Sequence, residues 1–131
     1  MRIPRETFAP YADRVTWVPT VARLAIPEIM ARHEVLIFPS YFEGSALSLL
    51  EGMASGLGVI QTRAAGNGAT PQTGIMLDEP DTDALYAAMM TAIEDRDRLD
   101  GWRAHAQAEA QRYSFARYRE GVAAVLADLG I

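Results

Sequence analysis

The segment "EVLIFPS", Glu34 to Ser40, constrains the fold more than any other part of the sequence. An apolar run without polar alternation reads as a strand buried on both faces, the habit of parallel sheets covered by helices. Such a strand needs parallel neighbours and helical layers. The sequence that follows supplies them. A helical pattern from about Ser45 to Ser55 stops at Gly56, placed as a left-handed C-cap, and "GVIQT" (Gly58 to Thr62) is the next apolar strand. A Gly/Ala/Asn loop, "AAGNGATPQTG", leads to a further short strand, "IMLD" (Ile75 to Asp78). Upstream, "VTWV" (Val15 to Val18) reads as a strand ending at Pro19, and a short helical stretch lies around Ile26 to Arg32. The expected class is α/β, a Rossmann-like three-layer parallel sheet of about four strands with C-terminal helices.

The second half is helical. Asp81 is placed to N-cap a helix whose apolar positions Leu85, Met89 and Ile93 recur every four residues. Another helix is predicted through Leu99, Trp102 and Ala106. Ser114 is placed to cap the last one, in which Phe115, Tyr118, Val122, Val125, Leu126 and Leu129 form a broad apolar stripe expected to pack in the core. One domain over residues 1–131 is expected, with an α/β core at 13–79 and a helical part at 80–131.

Composition removes several function classes. A chain of 131 residues with 50% hydrophobic and 22% charged residues has the balance of a globular domain. A net charge of -5 argues against a nucleic-acid groove or a polybasic membrane patch, so an anionic ligand must be held locally. The absence of cysteine excludes disulfides, thiolate metal sites and Cys nucleophiles, and fits a reducing compartment. The opening "MRIPRETFAPYADR" has no apolar leader core, and no stretch approaches the roughly 20 apolar residues of a membrane span. A cytoplasmic location, peripheral at a membrane through a partner, is the expectation.

Two carboxylates, Glu43 and Glu51, flank the turn that leaves the "EVLIFPS" strand. A strand passing through a small-residue turn into a helix delivers free backbone N–H groups at the carboxyl edge of the sheet, where α/β folds bind ligands. First-turn amides from Gly44, Ser45, Ala46 and Leu47 lack intrahelical partners and carry the positive end of the helix dipole, which suits a phosphate or diphosphate. Glu51 lies roughly 9 Å along the axis from Ser45 at about 1.5 Å per residue, on the face of Leu47. A carboxylate there is placed to accept two hydrogen bonds from a vicinal diol such as a ribose. Glu43, on the other side of the phosphate position, is placed to meet hydroxyls of a sugar beyond a diphosphate. The plainer alternatives are that Glu43 only favours the helix N-terminus electrostatically and that Glu51 is a solvated helix residue.

The stretch "LIFPSYFEGSALSLLEGMASGLGVIQT" resembles the signature of retaining glycosyltransferases of the GT-B fold, family 4, the group 1 glycosyltransferases. "DRVTWVPT" is similar to the family's strand before the nucleotide pocket, "TGIMLDEPDTDALYAAMMTAI" to its segment beyond the glycine-rich loop, and "RYSFARY" to its closing motif. The similarity runs from Asp13 to about Leu129 and covers the later part of a GT-B C-terminal domain. It implies that Glu43 is the catalytic carboxylate at the donor sugar and that Glu51 binds the ribose. It further implies that Ser40 and the amides of Gly44, Ser45, Ala46 and Leu47 lie at the donor, with Thr20 by the base. The implied reaction is sugar transfer from a nucleoside-diphosphate sugar to an acceptor hydroxyl, with retention and without a metal or other cofactor, in polysaccharide or glycolipid synthesis.

The sequence departs from the family pattern in places. Ser45-Ala46 follows Glu43-Gly44 where a phenylalanine and a second glycine are usual, Gly58 replaces a proline, and Pro71-Gln72 replaces Pro-Glu. His33 reads as a surface or packing histidine, and Arg63 is the cation at a strand end. The family's acceptor-binding domain and two strands carrying an Arg and a Lys for the diphosphate find no counterpart here. The expected partners are therefore a nucleotide sugar, a separate acceptor-binding domain or chain, and a second copy in a homodimer. The rival function is a non-catalytic nucleotide-sugar-binding or scaffolding module. A phospho-acceptor receiver domain is disfavoured, because no acidic pair closes an early strand.

Overall fold

The computed structural model describes residues 4–44 and 46–130. Three parallel strands, β1 (Val35–Phe38), β2 (Gly58–Thr62) and β3 (Gly74–Leu77), form one sheet in the order β1-β2-β3. Val35 stands opposite Gly58, and Val59 opposite Gly74. The helices are α1 (Ile26–Met30), α2 (Leu47–Ala54), α3 (Thr82–Glu94), α4 (Arg96–Ala110) and α5 (Phe115–Asp128).

β2 is the centre of the molecule, and every one of its residues is buried. Neighbouring side chains on a strand point to opposite faces, and the core divides accordingly. Val59 packs with Leu49 and Met53 of α2 and with Ala106 and Ala110 of α4. Ile60 packs with Leu77, with Ala88 and Ala92 of α3, and with Leu99 and Trp102 of α4. The expected three layers are therefore present, with α4 contributing to both outer ones. Close approach is secured by glycine. A Cβ on Gly74 would lie 1.8 Å from the Val59 carbonyl oxygen, and one on Gly52 would lie 2.7 Å from Leu36 Cδ2, where α2 crosses β1.

The predicted helix over Leu99, Trp102 and Ala106 is α4, with all three residues buried. Asp81 accepts from the Ala84 amide and Ser114 from the Arg117 amide, so both N-caps form as read. Gly56 has φ 78°, the left-handed conformation expected after α2.

Three expectations need correction. Val15 to Val18 is not a strand but irregular, exposed chain, so the sheet has three strands rather than about four. No strand lies beside that segment, and an apolar sequence without a pairing partner cannot form a ladder; Trp17 stacks on Phe8 instead, with ring centroids 5.3 Å apart. In α3 the small side chains of Ala88 and Ala92 face the core, while Met89 and Ile93 are exposed. The apolar stripe of α5 does not pack in the core: Phe115, Tyr118, Val122, Val125, Leu126 and Leu129 are all exposed, because α5 lies off the sheet. His33 is a surface histidine, as read, with Nδ1 2.7 Å from the Ile29 carbonyl oxygen.

Candidate functional site

The carboxyl ends of β1 and β2 are tied together before the chain enters α2. Thr62 Oγ1, at the end of β2, donates to the Ser40 carbonyl, and Ser40 Oγ donates to Glu43 Oε1 at 2.9 Å. The Glu43 carboxylate is thereby held half-buried at the sheet edge. Gly44 follows with no atom near the position of a Cβ, leaving open space in front of the helix. Ala46 stands at the N-cap of α2 and supplies no side-chain cap, so the positive end of α2 is left to solvent or to a ligand. Ser45 lies outside the described residues.

A second loop closes the other side. Gln61, fully buried, donates from Nε2 to the Gly66 carbonyl at 2.7 Å, and its Oε1 accepts from the Ala69 amide at 2.9 Å. Gly66 itself has φ 90°. A cleft of about 340 Å³ lies between the start of α2 (Gly44, Ala46, Leu50) and this loop (Gly66, Asn67), with Tyr113 forming its remaining wall. Gly66, Asn67 and Tyr113 were not singled out by sequence reasoning. The turn residue Gly66 and its neighbour lie in a loop whose path is set by a buried glutamine, and Tyr113 arrives from the far end of the chain.

Glu51 lies one turn into α2 from Leu47, on a different face from Leu50, with its side chain 34% exposed. Arg23, in the short 3-10 turn before α1, places Nη2 3.7 Å from Glu51 Oε1. The pair brings the segment that carries Thr20, itself exposed and irregular, to the Glu51 side of α2. Leu47 is 54% exposed on that same face. The structure therefore collects Ser40, Glu43, Gly44 and Ala46 at the helix N-terminus and sets Glu51 apart from them along the helix. Arg63 is engaged elsewhere, donating to Asp78 Oδ1 at 2.7 Å.

At the opposite end of β1, Glu34 receives two hydrogen bonds from the Arg96 guanidinium, at 3.1 and 2.5 Å. Hydrogen bonding to Arg96 holds the Glu34 carboxyl below the usual carboxylate range, against a small opposing effect of desolvation. This clamp fixes the entry to β1 against α4 and lies away from the site. Among the described residues no group of acidic or histidine side chains is arranged to hold a metal ion. No helix there is long and apolar enough to cross a membrane.

Parallel strands, helices on both faces and loops gathered at the carboxyl edge define a Rossmann-like α/β layer. Residues 3–95 match the family model of glycosyl transferases group 1, and the chain belongs to that family. It is 26% identical over 114 residues to D-inositol 3-phosphate glycosyltransferase of Rhodococcus opacus (strain B4), covering 85% of this chain and 26% of that protein. The protein of the same description from Rhodococcus jostii (strain RHA1) is 26% identical, with 85% of this chain and 25% of that protein covered. O-antigen chain mannosyltransferase B of Escherichia coli is 28% identical over 98 residues, covering 69% of this chain and 24% of that protein. The chain thus spans about a quarter of the length of these relatives.

Proposed function

We propose that this chain is the donor-binding part of a retaining glycosyltransferase that takes a nucleoside-diphosphate sugar and delivers the sugar to an acceptor hydroxyl in polysaccharide or glycolipid synthesis. The observation that carries the reading is the pair of carboxylates at an N-terminus of α2 that no side chain caps. Glu43, oriented by Ser40, contacts the donor sugar near its anomeric carbon. The amides of Gly44, Ser45, Ala46 and Leu47 hold the diphosphate, Glu51 takes the ribose diol, and Thr20 lies by the base. Charge that develops on the departing diphosphate is met by fixed backbone dipoles and the helix terminus, which act without reorganising and without a metal. Residues 13–79 form this donor-binding core and 80–131 the helical part beside it. Acting in the cytoplasm, the assembly meets lipid or polysaccharide acceptors at the membrane through its partner.

A second reading, a binding module that works only with a separate acceptor-binding chain or as a homodimer, is favoured by the open edge of β1. Ile37 is 36% exposed although it lies in a strand, and Met89 at 37% and Ile93 at 60% continue the apolar surface alongside it. Unpaired strand edges flanked by apolar side chains recruit further strands. Transfer by this chain mixed with an acceptor-binding chain, but by neither alone, supports the module reading.

Titration calorimetry with UDP-, GDP- and ADP-sugars tests the donor site. Saturable binding is expected, weakened in Glu51→Ala by the loss of one or two charge-assisted hydrogen bonds, about 1.5–3 kcal/mol each. An unchanged affinity in that variant removes Glu51 from the site.

A further inference from the structure

The contact between Arg23 and Glu51 carries information about the donor that neither residue gives alone. A pair separated by 3.7 Å, with the arginine side chain 80% exposed, adds little to stability. Its value lies in where it leaves a mobile guanidinium. Suppose the phosphates sit at the first-turn amides of α2 and the ribose at Glu51, about 6 Å along the axis from Leu47. In a nucleoside diphosphate the base hangs from the ribose on the side remote from the phosphates, so it falls beyond Glu51, toward the C-terminal half of α2. That end of the helix is where α1 is anchored: Ser55 Oγ lies 4.0 Å from Met30 Sδ. Arg23 enters from that end, in the turn that precedes α1.

We propose that Arg23 reads the base of the donor nucleotide and selects guanine. The inference rests on the donor-site reading above, with the ribose at Glu51. In the free protein the guanidinium waits on the Glu51 carboxylate. When a nucleotide enters, the ribose diol takes over that carboxylate and the long arginine side chain is released toward the base. A guanidinium is a fork of donors with no acceptor, and it matches an edge bearing two acceptors. Guanine offers O6 and N7 together, whereas adenine sets its N6 amino group beside N7, donor against donor. Uracil offers a single exposed carbonyl on the corresponding edge. Arg63, engaged by Asp78, is not placed to do the same.

Calorimetric titration of the 131-residue chain with GDP, ADP and UDP, in wild type, Arg23→Ala, Arg23→Lys and Glu51→Ala, tests this. Wild type is expected to bind GDP about ten-fold or more tighter than ADP, since one bidentate arginine contact discriminates bases by that order. Arg23→Ala should bring the three affinities to within about two-fold of one another, chiefly by weakening GDP, with Arg23→Lys between. Glu51→Ala should weaken all three alike and keep their order. A wild type that binds the three nucleotides equally, or an Arg23→Ala effect of the same size on each, overturns the base assignment. In that event, loss of binding in Glu51→Ala leaves the donor site standing. If no nucleotide binds to wild type, the donor-site reading and the base assignment fall together.

Discussion

Gln61→Leu is the perturbation whose consequence follows most directly from the packing. The side chain is 0% exposed, and its carboxamide replaces a backbone partner for the loop after β2. It donates to the Gly66 carbonyl at 2.7 Å and accepts from the Ala69 amide at 2.9 Å. Leucine has similar volume, so cavity formation is a minor effect and the polar loss dominates. Ala69 is 4% exposed, so its amide is left without water or partner, whereas the exposed Gly66 carbonyl regains water. An orphaned buried donor costs about 1–3 kcal/mol and the ordinary bond to Gly66 about 1 kcal/mol, giving roughly 2–4 kcal/mol in all. With a urea m-value of about 2 kcal/mol per M, the unfolding midpoint should fall by roughly 1–2 M at unchanged m. Amide exchange at Ala69 should accelerate more than exchange at the core of α4. A midpoint within a few tenths of a molar of wild type, with Ala69 still protected, would refute the assignment of Gln61 as the organiser of this loop.

Other outcomes follow from the same coordinates. Gly74→Ala would put a Cβ 1.8 Å from the Val59 carbonyl oxygen, so the β2–β3 pairing should be lost; a cooperative melt at the wild-type temperature would contradict that. Glu34 has a folded pKa lowered below the reference value of 4.5 by Arg96, so its stabilisation is present above that pH and disappears as pH falls through the folded value. The melting-temperature gap between wild type and Glu34→Gln should therefore be open at neutral pH and close in acid; a gap independent of pH would remove the ion pair as its cause. Ile37→Lys should leave the monomer's melt nearly intact and suppress concentration-dependent association through β1, read by sedimentation velocity; association unaltered by the lysine would place the interface elsewhere.

What the sequence discloses depends on whether the cause is local. The runs in β1 and β2 are legible because burial on both faces leaves an apolar stretch with no alternation. Caps at Asp81 and Ser114 and the turn at Gly56 are legible because one residue's chemistry decides each. Val15 to Val18 has strand-like residues, yet strand formation depends on a neighbour, and no neighbour is there. The stripe on α5 shows that the helix is amphipathic but not what its apolar face meets. In α3 hydrophobicity points to Met89 and Ile93, while the sheet selects Ala88 and Ala92, because small side chains let the helix approach closely. At the candidate site, the order Glu43, helix N-terminus, Glu51 is contained in one continuous segment and so is visible in sequence. Arg23 beside Glu51, and Tyr113 beside Gly66, join distant segments and become visible only in three dimensions.

The most direct test of the central claim is an amide chemical-shift titration of the isotope-labelled chain with a nucleoside diphosphate. The account predicts saturable shifts concentrated at Gly44, Ala46, Leu47 and Glu51, with a smaller response around Thr20 and Arg23. An unchanged spectrum, or shifts confined to residues remote from α2 such as the exposed face of α5, would contradict it.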